Sequence, residues 1–389
     1  MLDQSSKHIA YFDNAATTFP KPEEVYSFMD KFYRTNGVNV GRGSYNSANT
    51  ASALAKETRE LLLQLFHCEG KTVIFEPSAT IALNQVIRGL KWRRGQIVYI
   101  TPFEHNAVLR PLNYLKREYD LKIIQLAVNR QDISYDLEKI KYQFQENHPD
   151  VVIVSHASNV CGVVAPIEDI FPIAKKYRAT TIVDMSQTAG LIDTNLIDVQ
   201  ADYAVFAGHK TLYGPFGIAG FISTGDTELF PLIYGGTGIE SANSLMPDQL
   251  PIKYEAGSQN IMAIAGLNAS LKWILKKGVN TIYTKEQNER SEIIKILNKY
   301  SYVKAYIPFT RSLGIVCFNV EGYSCESLTP FFNNSGVACR TGLQCSPLAH
   351  KFLGTFPSGA IRLSLGYFNK VTDLTILNQS LSYLSDIIE

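Results

Sequence analysis

No stretch of this chain of 389 residues stays apolar for long: although 46% of it is hydrophobic, every run is broken well short of the roughly 20 residues that cross a bilayer. That excludes a membrane-spanning role. The start, MLDQSSKHIAYFDN, lacks the basic and apolar regions of a secretory signal, so a cytoplasmic protein is expected. Neither sign of charge dominates, with 37 Lys+Arg against 36 Asp+Glu, and no whole-chain field favours nucleic acid or an anionic lipid surface. Cysteines number only six, at 68, 161, 317, 325, 339 and 345. In a reducing compartment they are not expected to form disulfides. The closest pair, Cys339 and Cys345, has five residues between it and no companion at zinc spacing, so no metal is expected. Repeats, low-complexity tracts and charged tails are also missing. A small-molecule substrate is what these absences leave.

The length exceeds one compact core and fits two domains. From about residue 70 to 225, β-branched runs alternate with helical patterns: KTVIFEP and a helix through Ile81–Leu90, GQIVYITPF and a helix through Ala107–Tyr119, then DVVIVSH and a helix around Ile167–Tyr177. TTIVDMS, ADYAVFAGHK and GIAGFIST follow. This is the rhythm of an α/β fold with a mostly parallel sheet wound with helices. The last two strands are joined too closely for a helical crossover, so one of them runs antiparallel to its neighbours. Beyond 260, helices over Met262–Lys277 and Lys285–Tyr300 and a strand–helix region form a smaller α+β domain.

In an open parallel sheet, ligands bind beyond the carboxyl ends of the strands. There this sequence places Ser78, Ala79 and Thr80; Glu104 and His105; Ser158 and Asn159; Asp184 and Gln187; His209 and Lys210. Singly, each has an ordinary explanation: Asp184 as a helix cap, Asn159 as a turn residue, Lys210 as a solvated charge. Together they match one chemistry. A lysine on a glycine-rich turn forms a Schiff base with an aldehyde cofactor, and a carboxylate against a pyridine nitrogen keeps that ring an electron sink. Lys210 and Asp184 fit those roles. Ser78 and Thr80 open a helix directly after a strand, where free N–H groups hold phosphate. His105 can lie over the ring or move a proton.

The string AGHKTLYGPFGIAG resembles the lysine motif of class V aminotransferase-fold enzymes, and YFDNAATT, EHNAV, SHASNVCG, VDMSQTAG and EAGSQN resemble that family's blocks in its order. Within it the sequence is most similar to cysteine desulfurases of the group II, or selenocysteine lyase-like, branch. The resemblance implies pyridoxal 5′-phosphate, fold type I and a homodimer with its sites at the subunit interface. It makes Lys210 the Schiff-base lysine, Asp184 the partner of the pyridine nitrogen, Gln187 that of the ring hydroxyl, and His105 the stacking residue and acid/base. Ser78, Ala79, Thr80 and His209 would hold the phosphate, with Ser258 reaching across from the other subunit. Asn159 would contact substrate or cofactor oxygen, and Arg362 would clamp the substrate carboxylate. The implied division is an N-terminal segment 1–20 packing with the small domain, a large cofactor-binding domain 21–260, and a small domain 261–389.

The segment ACRTGLQCSPLAHKFLG resembles the group II catalytic loop. It implies that Cys345 attacks the sulfur of L-cysteine, leaving a persulfide and releasing L-alanine. Arg340 would help hold that thiolate or its loop, and an acceptor protein would take the sulfur toward iron–sulfur clusters or thiolation. Cys68, Cys161, Cys317 and Cys325 read as packing residues, while Cys339 either relays sulfur or is buried. The sequence departs from the pattern at Leu343 and Gln344, where histidines are usual, at Ser258 and Gln259 in place of Thr-Pro, and at Ile81 in place of an acid. Other readings stay open: a selenocysteine lyase acting on L-selenocysteine, an aminotransferase or other lyase with Cys345 incidental, or a non-catalytic sulfur carrier.

Overall fold

A computed structural model describes residues 8–41, 43–225 and 228–388; residues 1–7 of the expected N-terminal segment lie outside the described residues. In chain order the strands are β1 (Ala10–Tyr11), β2 (Thr72–Glu76), β3 (Ile97–Ile100), β4 (Lys122–Gln125), β5 (Val128–Asn129), β6 (Ser134–Tyr135), β7 (Val151–Ser155), β8 (Thr180–Asp184), β9 (Tyr203–Ala207), β10 (Ala219–Ser223), β11 (Val303–Tyr306), β12 (Ile315–Val320), β13 (Val337–Ala338) and β14 (Ile361–Ser364).

Seven of them form the main sheet in the order β2-β10-β9-β8-β7-β3-β4. All neighbours are parallel except β10, which is antiparallel to both β2 and β9. The short link Gly208–Ile218 dictates this reversal, because it has no room for a helical crossover. Both faces of the sheet are covered, so its strands read as continuous apolar runs. Along β7, Val152 and Val154 join one core while Val151 and Ile153 join the other. Helices Ala79–Gly89 and Asn106–Tyr119 supply the second core; Asn46–Leu65 and Ile261–Lys277 supply the first. No described helix is long and apolar enough to cross a membrane.

A separate antiparallel sheet, β11-β12-β14, carries the C-terminal region. Strand β1 pairs with β13 in parallel, so the N-terminal block is laid against the far end of the chain. The helix expected over Lys285–Tyr300 spans Val279–Leu297, because Gly278, at φ 85°, ends one helix and the next starts at once.

Glu286 is buried where that helix meets the lysine turn, and the Tyr213 hydroxyl donates to it at 3.3 Å. Burial pushes its carboxyl up to about 8. An acid raised in the fold above its unfolded value near 4.5 adds stability below that value and loses it as pH climbs toward 8. A Glu286→Gln protein should therefore be more stable than wild type by a few kcal/mol at pH 8, with the gap closing below pH 5. Thermal unfolding at both pH values checks this, and a gap independent of pH would refute it.

Candidate active site

One cleft at the carboxyl edge of the main sheet is lined by Ser78, Ala79, Thr80, His105, Asn159, Asp184, Gln187, His209 and Lys210. Nine of the residues singled out from the sequence thus meet in one wall. Arg340, Cys345 and Arg362 are not among its lining residues; the loop that carries Cys345 is tied to the cleft through Asn159 and Asn106, and Arg362 through Asn159 O. Ser258 lies in a different hollow, exposed, where its hydroxyl accepts from Asn39 Nδ2 at 3.2 Å.

The lysine turn is built from Gly208, whose amide donates to Ile218 O at 3.1 Å. A Cβ at Gly208 would sit 2.5 Å from that same carbonyl, so only glycine allows the approach. Thr17 Oγ1 donates to His209 O at 2.9 Å and Thr18 Oγ1 to Lys210 O at 3.0 Å, which is what the YFDNAATT block does locally. Lys21, which no motif signalled, donates from Nζ to His209 O at 2.7 Å and to Thr18 Oγ1 at 2.9 Å. Burial lowers its amine to about 7. Burial also lowers the Lys210 amine, against the pull of Asp184. No described residue accepts a hydrogen bond from Lys210 Nζ, so the amine is available to react.

His105 caps the helix Asn106–Tyr119, its Nδ1 accepting from Ala107 N at 3.0 Å. A ring nitrogen that accepts carries no hydrogen, so the proton is on Nε2. Burial and the Lys210 charge bring the imidazole down to about 4. The ring is therefore neutral near pH 7, suited to stack and to donate. Accepting a proton, half of its expected acid/base role, would require giving up the cap. Glu104 does not line the cleft; it accepts from Thr101 Oγ1 and Ser155 Oγ at 2.7 Å and ties β3 to β7 beneath it.

The wall fits a phosphorylated pyridine. Asp184 uses Oδ1 to accept from Ser186, and no described residue engages Oδ2. His209 is neutral, pushed down to about 4 by burial and by Lys210, and its buried Nδ1 has no partner. Its ring stacks on Phe216 at 4.6 Å. Ser78 Oγ accepts from Ile81 N, while the N–H groups of Ala79 and Thr80 have no partner among the described residues. Unpaired donors at a helix start and an orphaned imidazole call for an anion. Gln187 Nε2 donates to Ala15 O at 2.9 Å, and its Oε1 faces no described donor.

Arg362 is 2% exposed; its Nη1 donates to Asn159 O at 2.9 Å and its Nη2 to Asp13, while Nε is without a partner. Asp13 was not singled out from the sequence, although it sits inside the YFDNAATT block. Arg340 bridges to Arg362 through the backbone and lies 4.0 Å from Asp13. Asn159, expected to contact substrate or cofactor oxygen, lines the cleft, and its amide is also engaged with the cysteine loop. That loop is tight. Gly359, at φ 77°, would place a Cβ 2.3 Å from Gly342 C, and Gln344 and Cys345 both have positive φ, 39° and 59°. Such backbone costs on the order of 1–2 kcal/mol per non-glycine residue and persists only where contacts impose it. Cys345 is exposed; Cys68, Cys161, Cys317 and Cys325 are buried. Burial and Asp13 push the Cys339 thiol up to about 12, which removes it as a thiolate relay.

The profile of the aminotransferase class-V family matches residues 10–377. A probable cysteine desulfurase of Methanothermobacter thermautotrophicus is 27% identical, over 96% of this chain and 94% of its own length. A cysteine desulfurase of Escherichia coli O9:H4 is 29% identical, over 87% of this chain and 84% of its own. Among solved structures, the apo cysteine desulfurase from Thermococcus onnurineus NA1 aligns with a TM-score of 0.90 at 27% identity, covering 97% of this chain and 94% of that one.

Proposed function

Because this chain belongs to the aminotransferase class-V family, we propose that it is a pyridoxal phosphate-dependent cysteine desulfurase that converts L-cysteine to L-alanine and keeps the sulfur on Cys345. The observation that carries this reading is an exposed thiol on a loop held at the cleft, where Asn106 N donates to Cys345 O and the cleft-lining Asn159 donates to Gln344 O, both at 2.8 Å. The similarity to proteins named cysteine desulfurases supports it.

Pyridoxal phosphate, when bound, supplies an aldehyde for amines and a ring that withdraws electrons from the substrate's Cα. His209, Thr80 and the N–H groups of Ala79 and Thr80 would hold its phosphate, Asp184 Oδ2 its ring nitrogen, Gln187 its hydroxyl, and His105 its face. Arg362, held by Asp13 and Asn159 O, receives the substrate carboxylate and fixes its orientation. Lys210, its amine lowered by burial, takes and returns the proton at Cα. The Cys345 thiolate bonds to the substrate sulfur as the Cβ–S bond breaks; Cβ takes up a proton and alanine leaves.

The same proposal includes a homodimer in which Ser258 completes the partner's phosphate site, a protein that accepts the sulfur, placement in the group II branch, and a cytoplasmic setting in which unpaired cysteines persist. The divisions at residues 20 and 260 belong to it as well; separate sheets on either side of the second support it, while the helix Ile261–Lys277 packs into the core of the main sheet.

Incubating the loaded protein with L-cysteine in the absence of a reducing thiol is expected to yield alanine and a Cys345 peptide heavier by one sulfur atom. Amino transfer to a keto acid with no alanine from cysteine would overturn the reading in favour of an aminotransferase. Asp13→Asn should raise KM for L-cysteine about tenfold, since a weakened clamp costs roughly 1.4 kcal/mol, with the cofactor absorbance unchanged; steady-state kinetics checks it.

A further inference from the structure

Cys345 is exposed, yet both of its neighbours in the chain, Gln344 and Ser346, are buried, at 4% and 0% exposure. Polar side chains at such positions need partners, and theirs converge. Asn159 Nδ2 donates to Gln344 O at 2.8 Å, and Ser346 Oγ donates to Asn159 Oδ1 at 2.6 Å. One amide therefore grips the chain on both sides of the cysteine. The Gln344 side chain donates from Nε2 to Ala360 O at 2.8 Å, and its Oε1 lies 2.8 Å from His350 Nε2, whose other ring nitrogen meets Thr355 Oγ1 at 2.7 Å. The carbonyl of Cys345 itself accepts from Asn106 N at 2.8 Å, the residue next to His105. The carbonyl of Asn159 accepts from Arg362 Nη1.

We propose that Gln344 and Ser346 are positioning residues for Cys345, and that with Asn159 they form a clamp that fixes the nucleophile relative to Arg362, the group that receives the substrate carboxylate. This rests on Cys345 as the sulfur-accepting thiol. Two successive residues at positive φ would otherwise relax, and the placement of the thiol would be lost. The clamp holds that backbone from both sides while leaving the Cys345 side chain exposed. It also makes the distance from nucleophile to carboxylate clamp a property of one residue, since the carbonyl of Asn159 sets Arg362 and its amide sets residues 344 and 346. Immediately before the cysteine, Gln344 supplies a buried amide, braced by His350 six residues further on.

Neither Gln344 nor Ser346 lines the cofactor cleft, so changing them separates thiol placement from cofactor binding. In holoenzyme, Ser346→Ala is expected to lower kcat for alanine formation at least tenfold, with KM for L-cysteine within twofold and the cofactor absorbance unchanged. Deuterium exchange of the peptide spanning 341–348 should speed up several-fold, and Ser346→Thr, which keeps the hydroxyl, should restore both. Gln344→Met, which keeps the volume and removes the amide, should act in the same direction and decides the matter if Ser346→Ala does not fold. Unchanged kcat and unchanged loop exchange in these variants would overturn the clamp, as would a Thr variant no better than Ala. Cys345→Ala keeps the two ideas apart: alanine released at the wild-type rate by that protein sinks the desulfurase reading, whereas its loss alongside unaffected clamp variants sinks only the clamp.

Discussion

A Lys210→Ala protein is expected to make alanine from L-cysteine at least about 1,000-fold more slowly than wild type, the scale of removing a reacting side chain. It should also release pyridoxal phosphate on desalting, and borohydride should fix none of it to the chain. The argument is geometric. His209 Nδ1, the free N–H groups after Ser78 and Asp184 Oδ2 all survive the change, so the cofactor still enters, but reversibly. Lys21 is the other lysine with a lowered amine, at about 7, and it lies against the same turn. Its Nζ already donates to His209 O and Thr18 Oγ1, and leaving them would unseat the turn. It cannot substitute. Cofactor still fixed by borohydride in the Lys210→Ala protein would show that another amine forms the bond.

The second large effect is expected at Cys345. Cys345→Ala should abolish alanine formation from L-cysteine, by at least about 1,000-fold, while the bound-cofactor absorbance and the Tm stay at wild-type values. None of the described cysteines can take over. Cys339 is nearest in sequence, but burial and the neighbouring Asp13 push its thiol well above the ordinary range, so it is held as the unreactive thiol at pH 7. L-Selenocysteine separates two chemistries in this variant. Its better leaving group makes elimination less dependent on a nucleophile, so turnover falling by less than about tenfold would reassign the chain as a selenocysteine lyase. Equal loss on both substrates supports the sulfur-accepting role.

Much of the site was legible because a parallel sheet brings strand ends together whatever the loops do. Residues 78–80, 105, 159, 184, 187, 209 and 210 follow β-branched runs, and the sheet lines them up without further instruction. The reversal of β10 was legible for a similar reason, from the brevity of one link. What stayed hidden depends on approaches between distant segments. Asp13 meets Arg362 across 349 positions, and Asn159 meets Ser346 across 187; nothing in the local pattern of either partner encodes the other. An amide at a strand end placed Asn159 in the cleft wall, but it carries no mark showing that both its ends are also engaged by the cysteine loop. The helix Asn46–Leu65 left little periodic signal, since Ala, Ser and Thr occupy much of its first half, and small residues pack without standing out as apolar. The strand β4, at the sheet edge, was passed over because its residues are only partly covered.

The pairing of β1 with β13, and of Asp13 with Arg362, also sets an order in time. A ribosome adding about 5–20 residues each second delivers Lys210 on its turn roughly 8–30 s before Arg362 leaves the tunnel. Early in that interval β10 (Ala219–Ser223) completes the strands of the main sheet. The loop of Cys345 and the strand of Arg362 arrive only with the last sixth of the sequence, and Arg362 is then held by Asp13 from its first. On the proposed function, an incomplete chain is therefore expected to form no persulfide, because the carboxylate clamp is assembled only when Arg362 meets Asp13.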